Sequence, residues 1–295
     1  MLGVVNLDKP VGPTSHDMVG LLRRLAGTRR IGHAGTLDPL ASGVLPILVG
    51  AATRFSEELT GGRKRYDAVI RLGARSATDD AQGPIVSSDA PLPSEEMVRA
   101  ALPTFVGTYD QRPPDFSARK VGGRTAHRAA REGQPIEVEP RRVTVESIEL
   151  VSTEVADGRL DVRIDVICGA GTYIRSIARD AGELLGCGGY LGSLRRTEAA
   201  GLRSADAIRP EELEALAAEG RLGEAILPVG NLLSLPRIAL DADAARRFRH
   251  GSSHSVGGAT DGRAVVFAGN DLLGIGIVVD GMLQPVKVVP PEVGE

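Results

Sequence analysis

Two segments of this chain alternate between apolar and polar residues, which is the period of a half-exposed β-strand. Residues 66–72 read Tyr-Asp-Ala-Val-Ile-Arg-Leu, and residues 160–166 read Leu-Asp-Val-Arg-Ile-Asp-Val. Apolar runs at 4–7, 44–49, 264–268 and 272–279 predict further strands. Helical segments interrupt these strands without forming a regular βαβ array. The pattern therefore predicts an α+β sheet protein.

Apolar residues at helical spacing predict the helices. The first begins at Thr14 or Ser15, either of which can cap it, and Gly27 ends it. A second helix follows Ser94, with three apolar residues on one face: Met97, Ala101 and Phe105. Further helices are predicted at 172–185, 210–218 and 242–249.

Composition excludes several classes of protein. Of 295 residues, 42% are hydrophobic and 25% charged, which is typical of a globular chain and not of a disordered or fibrous one. No apolar run approaches the roughly 18 residues that span a bilayer, and the N-terminus lacks a signal-peptide pattern. Two cysteines, Cys168 and Cys187, cannot build a disulfide framework. We expect a soluble, cytoplasmic protein.

The sequence pattern of the chain changes near residue 236. The preceding part carries the helices and strands described above, whereas residues 237–295 combine one short helix with Gly-rich turns and strands. A segment of this size is at the lower edge of what folds alone. We predict two domains, 1–232 and 237–295.

The densest chemical signal is the segment 30–43, Arg-Ile-Gly-His-Ala-Gly-Thr-Leu-Asp-Pro-Leu-Ala-Ser-Gly. Pro39 disfavours the helical conformation at Asp38, and Gly35 and Gly43 permit tight turns on either side. A carboxylate on such a loop is either a catalytic group or a turn-capping residue. The residues alone favour the turn cap, and they likewise favour a structural, hydrogen-bonding role for His33 over a catalytic one.

A second signal precedes the predicted helix at 172–185, where Gly171-Thr172-Tyr173-Ile174-Arg175 follows a strand. Arg175 falls in the first helical turn, where the helix dipole disfavours a cation. One interpretation is a surface ion-pair ladder with Arg179 and Glu183 at four-residue spacing. The other is that Arg175 has an anionic partner elsewhere, such as a carboxylate or a phosphate.

Together these segments resemble the TruB family of tRNA pseudouridine synthases. The run Gly-His-Ala-Gly-Thr-Leu-Asp-Pro-Leu-Ala-Ser-Gly at 32–43 is similar to the catalytic motif of that family. Other family-like motifs follow in the same order over residues 3–205: Leu7-Asp8-Lys9-Pro10, Lys64-Arg65-Tyr66, Gln111–Pro114 with Phe116–Lys120, Gly171–Arg175 and Leu194–Thr197. The tail, with Gly274-Ile275-Gly276 and 283–287, is more weakly similar to a PUA module, a small RNA-binding barrel.

The resemblance implies a fold and a reaction. The fold is a mixed, largely antiparallel sheet in a catalytic domain of the pseudouridine synthase type at 1–232, followed by a small β-barrel-like PUA module at 237–295. The reaction is isomerisation of a uridine in the T-loop of tRNA, at position 55, to pseudouridine without cofactor or metal. The partner is the tRNA T-stem-loop, with no membrane and no obligate protein partner.

The resemblance also implies roles for single residues. Asp38 is the catalytic carboxylate, acting as nucleophile at the sugar C1′ or the uracil C6, or as a base at the sugar. Arg175 would pair with Asp38 and orient it, and Tyr66 would stack on the base and help to transfer a proton. His33 would fill the space left by the flipped base. The remaining RNA-binding residues are Lys9, Arg119, Lys120, Tyr173 and Leu194.

The net charge of −3 requires any contact with RNA to be local. The stretch 112–131 is rich in Arg and Lys and contains Gly122-Gly123, which predicts a mobile basic loop suited to phosphates. Residues 63–65 form a second basic cluster. His127 stands where the family more often has Tyr, so a stacking role at that position is not predicted.

Rival functions remain. The chain could be a non-catalytic RNA-binding or chaperone protein, although the Asp38, Tyr66 and Arg175 set argues against binding alone. It could also be the catalytic subunit of a guide-RNA-dependent pseudouridylase, against which the lack of basic tails argues. A small-molecule enzyme with an Asp nucleophile lacks a recognisable cofactor loop, since Gly169-Ala170-Gly171 is too short a signal.

Overall fold

A computed structural model of the chain describes residues 2–116, 120–121, 124–125 and 139–290. Its strands are β1 (Gly3–Lys9), β2 (Ile31–His33), β3 (Ala41–Val49), β4 (Lys64–Leu72), β5 (Ala74–Ser76), β6 (Ile85–Ser87), β7 (Gly107–Gln111), β8 (Lys120–Val121), β9 (Arg124–Thr125), β10 (Arg141–Ala156), β11 (Arg159–Cys168), β12 (Gly189–Ala199), β13 (Leu202–Arg203), β14 (Arg237–Ala239), β15 (His254–Ser255), β16 (Gly262–Ala268), β17 (Asp271–Val279) and β18 (Met282–Val288). The α-helices are α1 (Ser15–Ala26), α2 (Ser56–Thr60), α3 (Glu95–Ala101), α4 (Ile174–Leu184), α5 (Pro210–Ala218) and α6 (Ala242–Arg249). Short 3₁₀ turns occupy Gly50–Phe55, Leu102–Phe105, Ser204–Asp206, Leu222–Ala225 and Val229–Asn231.

Most of the chain surrounds one sheet, which has nine strands in the described residues. Seven strands follow the order β1-β3-β12-β4-β11-β10-β7, while β2 pairs with β3 and β13 with β12. All of these pairs are antiparallel except β12 with β3, so the sheet is mixed and largely antiparallel, as predicted. The α+β class predicted from the alternating strands and the intervening helices is confirmed.

The centre of the sheet is formed by β12, which lies between β3 and β4 although it comes far later in the chain. Arg196 on β12 is opposite Gly43 on β3 and opposite Tyr66 on β4. Residues in register on neighbouring strands share one face of a sheet, so Arg196 and Tyr66 point to the same side. Leu194 lies two residues away on that face, beside Ala41 and Ala68.

The predicted elements are largely confirmed. The first helix is capped by the side chain of Thr14, and Gly27 ends it in the left-handed conformation with φ 61°. The prediction for the second helix is wrong in one respect, because Met97 is 51% exposed while the helix buries Val98 and Ala101. Both cysteines are buried and free, and burial raises the pKa of Cys168 to about 11.

The C-terminal residues form a separate five-stranded sheet in the order β14-β16-β17-β18-β15, covered in part by α6. The apolar residues of this sheet also pack against the main body, because one buried cluster contains Val4 and Phe55 together with Phe267 and Ile275. Charges reinforce the contact, since the carboxylate of Glu58 in α2 binds Lys287 and Arg263. The two sheets therefore share an apolar interface that the change in sequence pattern near residue 236 did not predict.

No helix in the described part of the chain is long and apolar enough to cross a membrane.

We expect Gly43→Ala to lower the free energy of unfolding by about 2 kcal/mol or more. Gly43 has φ 99°, and a Cβ there would lie 2.2 Å from the Arg196 carbonyl oxygen on the adjacent strand. Gly20→Ala is the matched control, because Gly20 lies in the interior of α1 with nothing within 4 Å of its added Cβ. This control should stabilise the protein by roughly 0.5–1 kcal/mol. Urea denaturation measures both changes, and an equal effect of the two variants would contradict the close approach of β3 and β12.

Candidate active site

A cavity of about 360 Å³ opens beside the face of the sheet that carries Tyr66, Leu194 and Arg196. We refer to it as the central cavity. Its wall combines the loop before β3, the beginning of β4, the middle of β12, and the turn that leads from β11 into α4. The predicted site residues that line it are Asp38, Tyr66, Tyr173, Arg175 and Leu194. Residues that are far apart in the chain therefore meet here.

The loop that carries Asp38 is held by main-chain contacts on both sides of the carboxylate. Ser15 is buried at the start of α1, where its hydroxyl donates to the Leu37 carbonyl at 2.9 Å and accepts from the Leu37 amide at 2.8 Å. The Gly12 amide donates to the Pro39 carbonyl at 2.8 Å. Thr14, not Ser15, caps the helix, which leaves the Ser15 side chain free to hold the loop.

Asp38 and Arg175 form an ion pair at the cavity wall. The distance from Arg175 Nη2 to Asp38 Oδ2 is 2.9 Å. The arginine side chain is 7% exposed and the aspartate side chain 41%, so the buried cation presents an accessible carboxylate to the cavity. Further contacts of Arg175 go to the Thr78 carbonyl at 3.3 Å, the Phe116 carbonyl at 3.0 Å and the Asp80 carboxylate at 3.8 Å.

The interpretation of Arg175 as part of a surface ladder is wrong. Arg175 and Arg179 lie one helical turn apart in α4, but Arg179 pairs with Asp79 and Asp180, not with Glu183. The cation in the first turn of α4 is stabilised by carboxylates from other segments, which offsets the unfavourable helix dipole.

Arg196 is 1% exposed and contacts the main chain of the loop that carries Asp38. Its guanidinium donates to three main-chain carbonyls: Val44 at 2.7 Å, Gly35 at 2.9 Å and Thr36 at 3.4 Å. No carboxylate pairs with it among the described residues. Burial raises the pKa of the neighbouring Tyr66 hydroxyl, with the Arg196 cation opposing this shift, so the phenol is neutral at physiological pH.

Two predicted RNA-binding residues lie beside the central cavity and not in its wall. His33 is half-buried on β2, and burial, followed by the Arg196 cation, lowers its pKa, so the imidazole is neutral at pH 7. Lys9 is fully buried, and its ammonium donates to the Pro10 and Pro13 carbonyls, each at 2.7 Å. Burial lowers the pKa of Lys9 to about 8. Contact of either residue with RNA stays a prediction.

The predicted basic loop is described only in part. Arg119, His127, Arg128 and Arg131 lie outside the described residues, and of Lys120 and Arg124 only the backbone is described, in the pair β8–β9. Their proposed contacts with RNA stay predictions.

Comparison with known proteins decides the family. Residues 23–174 match the model of the TruB family pseudouridylate synthase N-terminal domain, and residues 175–234 match the tRNA pseudouridylate synthase B C-terminal domain. This chain belongs to the TruB family of pseudouridylate synthases. The resemblance inferred from the motifs is thereby confirmed, and with it the interpretation of the chain as an enzyme of the pseudouridine synthase type.

Relatives and solved structures agree with this assignment. The tRNA pseudouridine synthase B of Ralstonia pickettii is 44% identical over 84% of this chain and 78% of its own length. The protein of the same name from Ralstonia nicotianae is 42% identical over 97% of this chain and 94% of its own length. Among solved structures, a chain of an H/ACA ribonucleoprotein bound to a substrate RNA containing 2′-deoxyuridine has a TM-score of 0.75 at 25% identity. It covers 99% of this chain and 86% of its own length.

The structure also adds residues to the site to which the sequence analysis assigned no individual role. Lys64 is 7% exposed at the cavity wall, where its ammonium donates to the Thr60 and Gly62 carbonyls at 2.8 Å each. Burial lowers its pKa to about 8. Arg141 lines the opposite side, against Gly171. The side-chain amide of Gln111 pairs with the main chain of Tyr173 and holds the turn before α4.

The alternation of β4 carried a signal for Lys64, because it places residue 64 on the same face as Tyr66. Nothing in the sequence pattern distinguished Arg196 from Arg195. Their separation into a buried and an exposed residue follows from the face of β12 on which each lies.

We expect Arg196→Lys to lower the free energy of unfolding by about 2 kcal/mol, because one ammonium cannot reach three carbonyls that a guanidinium fork satisfies. Arg195→Lys is the matched control on the opposite face of β12. Arg195 is 40% exposed and pairs with Asp8, so its replacement should change stability by less than about 0.5 kcal/mol. Urea denaturation of both variants decides the matter. Equal losses would show that Arg196 contributes no more to the loop than a surface ion pair.

Proposed function

We propose that this protein converts a uridine in the T-loop of tRNA, at position 55, to pseudouridine. The observation that carries the proposal is the accessible Asp38 carboxylate, held by the buried Arg175 in a cavity that Tyr66 and Leu194 also line. Its relatives named tRNA pseudouridine synthase B support tRNA as the substrate.

Asp38 supplies the reactive group in this proposal. Arg175 binds Oδ2, while Oδ1 has no hydrogen bond within the described part of the chain. An ionised oxygen without a partner is available as a nucleophile toward the ribose C1′ or the uracil C6, or as a base at the sugar. In each route the C–N glycosidic bond breaks and a bond forms between the ribose C1′ and the uracil C5, while C5 loses a proton and the released ring nitrogen gains one. The isomerisation is neutral in electrons and needs no redox cofactor.

Arg175 acts as the positioning partner of the carboxylate. Its guanidinium is fixed by two main-chain carbonyls and by Asp80, so Asp38 meets a cation of defined orientation. Such preorganisation is worth more in an enclosed site than in water. Arg175 therefore binds one oxygen of Asp38 and leaves the other oxygen available to a molecule in the cavity.

The apolar and aromatic wall suits a nucleobase. Tyr66 and Tyr173 provide rings and Leu194 provides an aliphatic side chain around the same space. A base inside a folded RNA loop reaches such a pocket only after it is flipped out of its stack. We assign stacking and proton transfer to Tyr66, base contacts to Tyr173 and Leu194, and the vacated position in the RNA to the neutral ring of His33.

The charges around the central cavity suit a phosphodiester chain. Among the described lining residues, four basic side chains accompany the single carboxylate of Asp38: Lys64, Arg141, Arg175 and Arg196. Of these, Arg141 is exposed and has no carboxylate partner in the described part of the chain. A local excess of positive charge provides the phosphate contacts that the net charge of the protein does not.

We also propose the domain division inferred from the sequence, with a catalytic domain at 1–232 and a PUA-like RNA-binding domain at 237–295. The five-stranded sheet begins at Arg237, and α6 carries three arginines: Arg246, Arg247 and Arg249. These features support a second contact with RNA. We propose that the enzyme acts in the cytoplasm without an obligate protein partner.

The alternative is a subunit that modifies uridines chosen by a guide RNA. Its support is the likeness to solved chains of H/ACA particles, including the archaeal Nop10–Cbf5 complex, at a TM-score of 0.73 and 25% identity over 98% of this chain and 87% of that chain. Incubation of the purified protein alone with an unmodified tRNA transcript separates the two. Formation of pseudouridine at position 55 supports the stand-alone enzyme, and modification only with a guide RNA supports the alternative.

We expect Asp38→Asn to bind tRNA with an affinity within about threefold of wild type while pseudouridine formation falls below detection. The substitution keeps the shape of the side chain and removes the charge and the nucleophilic oxygen. Filter binding and chemical mapping of pseudouridine measure the two quantities. Product formation by a preparation free of wild-type enzyme would contradict the assignment, and a joint loss of binding and stability would indicate a structural turn residue.

We expect Arg141→Ala to weaken tRNA binding and to reduce the slope of log Kd against log salt concentration by about one unit, as for the loss of one phosphate contact. Arg142→Ala is the matched control, since Arg142 points to the other face of β10 and lies 3.6 Å from Asp110. Its salt slope should stay that of wild type. Binding titrations from 50 to 200 mM salt test this. The same slope in both variants would remove Arg141 from the RNA interface.

A further inference from the structure

The turn that follows β5, beside Leu191 of β12, contains a residue in an unusual backbone conformation. Asp79 has φ 60°, the left-handed region that residues other than glycine rarely adopt. Its carbonyl accepts from the Leu191 amide at 2.9 Å, and the Leu191 carbonyl accepts from the Ala81 amide at 2.9 Å, so the turn is held in place from the sheet side. The carboxylates of both Asp79 and Asp80 lie near arginines of α4.

Two arginines of α4 meet this turn. Arg175 and Arg179 are four residues apart and therefore lie on one face of the helix. Arg179 Nη1 is 2.9 Å from Asp79 Oδ2, with side chains 11% and 15% exposed. Arg175 binds the Thr78 carbonyl and lies 3.8 Å from the Asp80 carboxylate. Three consecutive residues thus contact two arginines of one helix.

The same arginines also hold a second segment. Arg179 Nη2 donates to the Arg112 carbonyl at 2.9 Å, and the Ser176 hydroxyl donates to the same carbonyl at 2.8 Å. Arg175 Nη1 donates to the Phe116 carbonyl at 3.0 Å. Arg179 therefore contacts both segments that supply the main-chain acceptors of Arg175.

This arrangement has an energetic cost. Burial raises the pKa of Asp79 even though the Arg179 cation opposes the shift. A largely buried ion pair loses hydration that its mutual attraction only partly replaces, and the left-handed Asp79 adds backbone strain. Strain and desolvation beside a catalytic pair are characteristic of groups that are held for geometry.

We propose that Arg179 is a positioning residue that orients Arg175 toward Asp38 by holding the Asp79 turn and the Arg112 carbonyl. Arg179 does not line the central cavity, so it acts through Arg175. The inference rests on the proposed function, because its main readout is the rate of pseudouridine formation.

The test replaces Arg179 by Met, which keeps the aliphatic length of the side chain and removes the guanidinium. We expect kcat to fall about tenfold or more, as for a small misplacement of a catalytic group. KM and the Kd for tRNA should stay within about threefold of wild type. Asp79→Asn tolerates the left-handed backbone and removes only the charge, so it should lower kcat in the same direction with less effect on folding.

Arg163→Met is the matched control. Arg163 pairs with Asp67 on the main sheet, is 53% exposed, and has no contact with Arg175 in the described residues. Its kcat should equal that of wild type. A double variant gives the sharper criterion: if Arg179 acts only through Arg175, adding Arg179→Met to Arg175→Met should lower kcat no further. A multiplicative loss in the double variant would overturn the proposal, as would an unchanged kcat in Arg179→Met.

A second measurement does not depend on turnover. The Arg175 Nε–H is buried and has no acceptor among the described residues, so its ¹⁵N resonance, assigned by its loss in Arg175→Met, reports the order of this side chain. We expect this resonance to broaden or shift in Arg179→Met and to stay unchanged in Arg163→Met. No pseudouridine from wild type would contradict the proposed function, whereas an unaltered Arg175 resonance in Arg179→Met would contradict the positioning role.

Discussion

The insertion of β12 between β3 and β4 is the constraint on which the active site depends. It brings Arg196 into register with Gly43 and Tyr66 and places Leu194 beside Ala41. The Arg196 guanidinium then binds carbonyls on both sides of Asp38, those of Gly35 and Val44. Arg196 has no carboxylate partner in the part of the chain that the structure describes, and its burial is tolerated because three carbonyls accept hydrogen bonds from its guanidinium. The loop geometry therefore depends on the sheet.

The basic side chains around Asp38 differ in their exposure, since Arg175 is buried and Arg141 is exposed. Arg175 is nearly buried and paired with the carboxylates of Asp38 and Asp80, so in the proposed mechanism it orients Asp38. Arg141 is exposed at the rim and has no such partner in the described residues, so it can meet an anionic ligand. This division explains how a chain with a net charge of −3 can bind a polyanion. Acidic residues elsewhere on the surface do not reduce the field inside the cavity, because solvent screens them.

Local rules allowed the elements to be predicted, and their exceptions indicated the site. The alternation in β4 and β11 and the caps of α1 follow from residue type and spacing alone. Arg175 lies in a first helical turn, where the helix dipole disfavours a cation. Its contacts with the carboxylates of Asp38 and Asp80 explain why a cation is stable there. The interpretation of Arg179 as part of a surface ladder is wrong, because an i, i+4 pattern cannot reveal a carboxylate on a distant turn. In the same way, the spacing of apolar residues in the short helix α3 did not reveal that Met97 is exposed while Val98 is buried.

By itself the sequence determined the α+β class, the position of most strands and helices, and the motif in which Asp38, Tyr66 and Arg175 occur. These properties are local, because they depend on hydrophobic period, capping residues and turn residues within short windows. Only the tertiary structure decided that Ser15 holds the loop that carries Asp38, that Arg196 and not Arg195 is buried, and that Asp79 contacts Arg179 across 100 residues of chain. Strand order and register determine such contacts, and they arise from packing of the whole sheet rather than from any one segment.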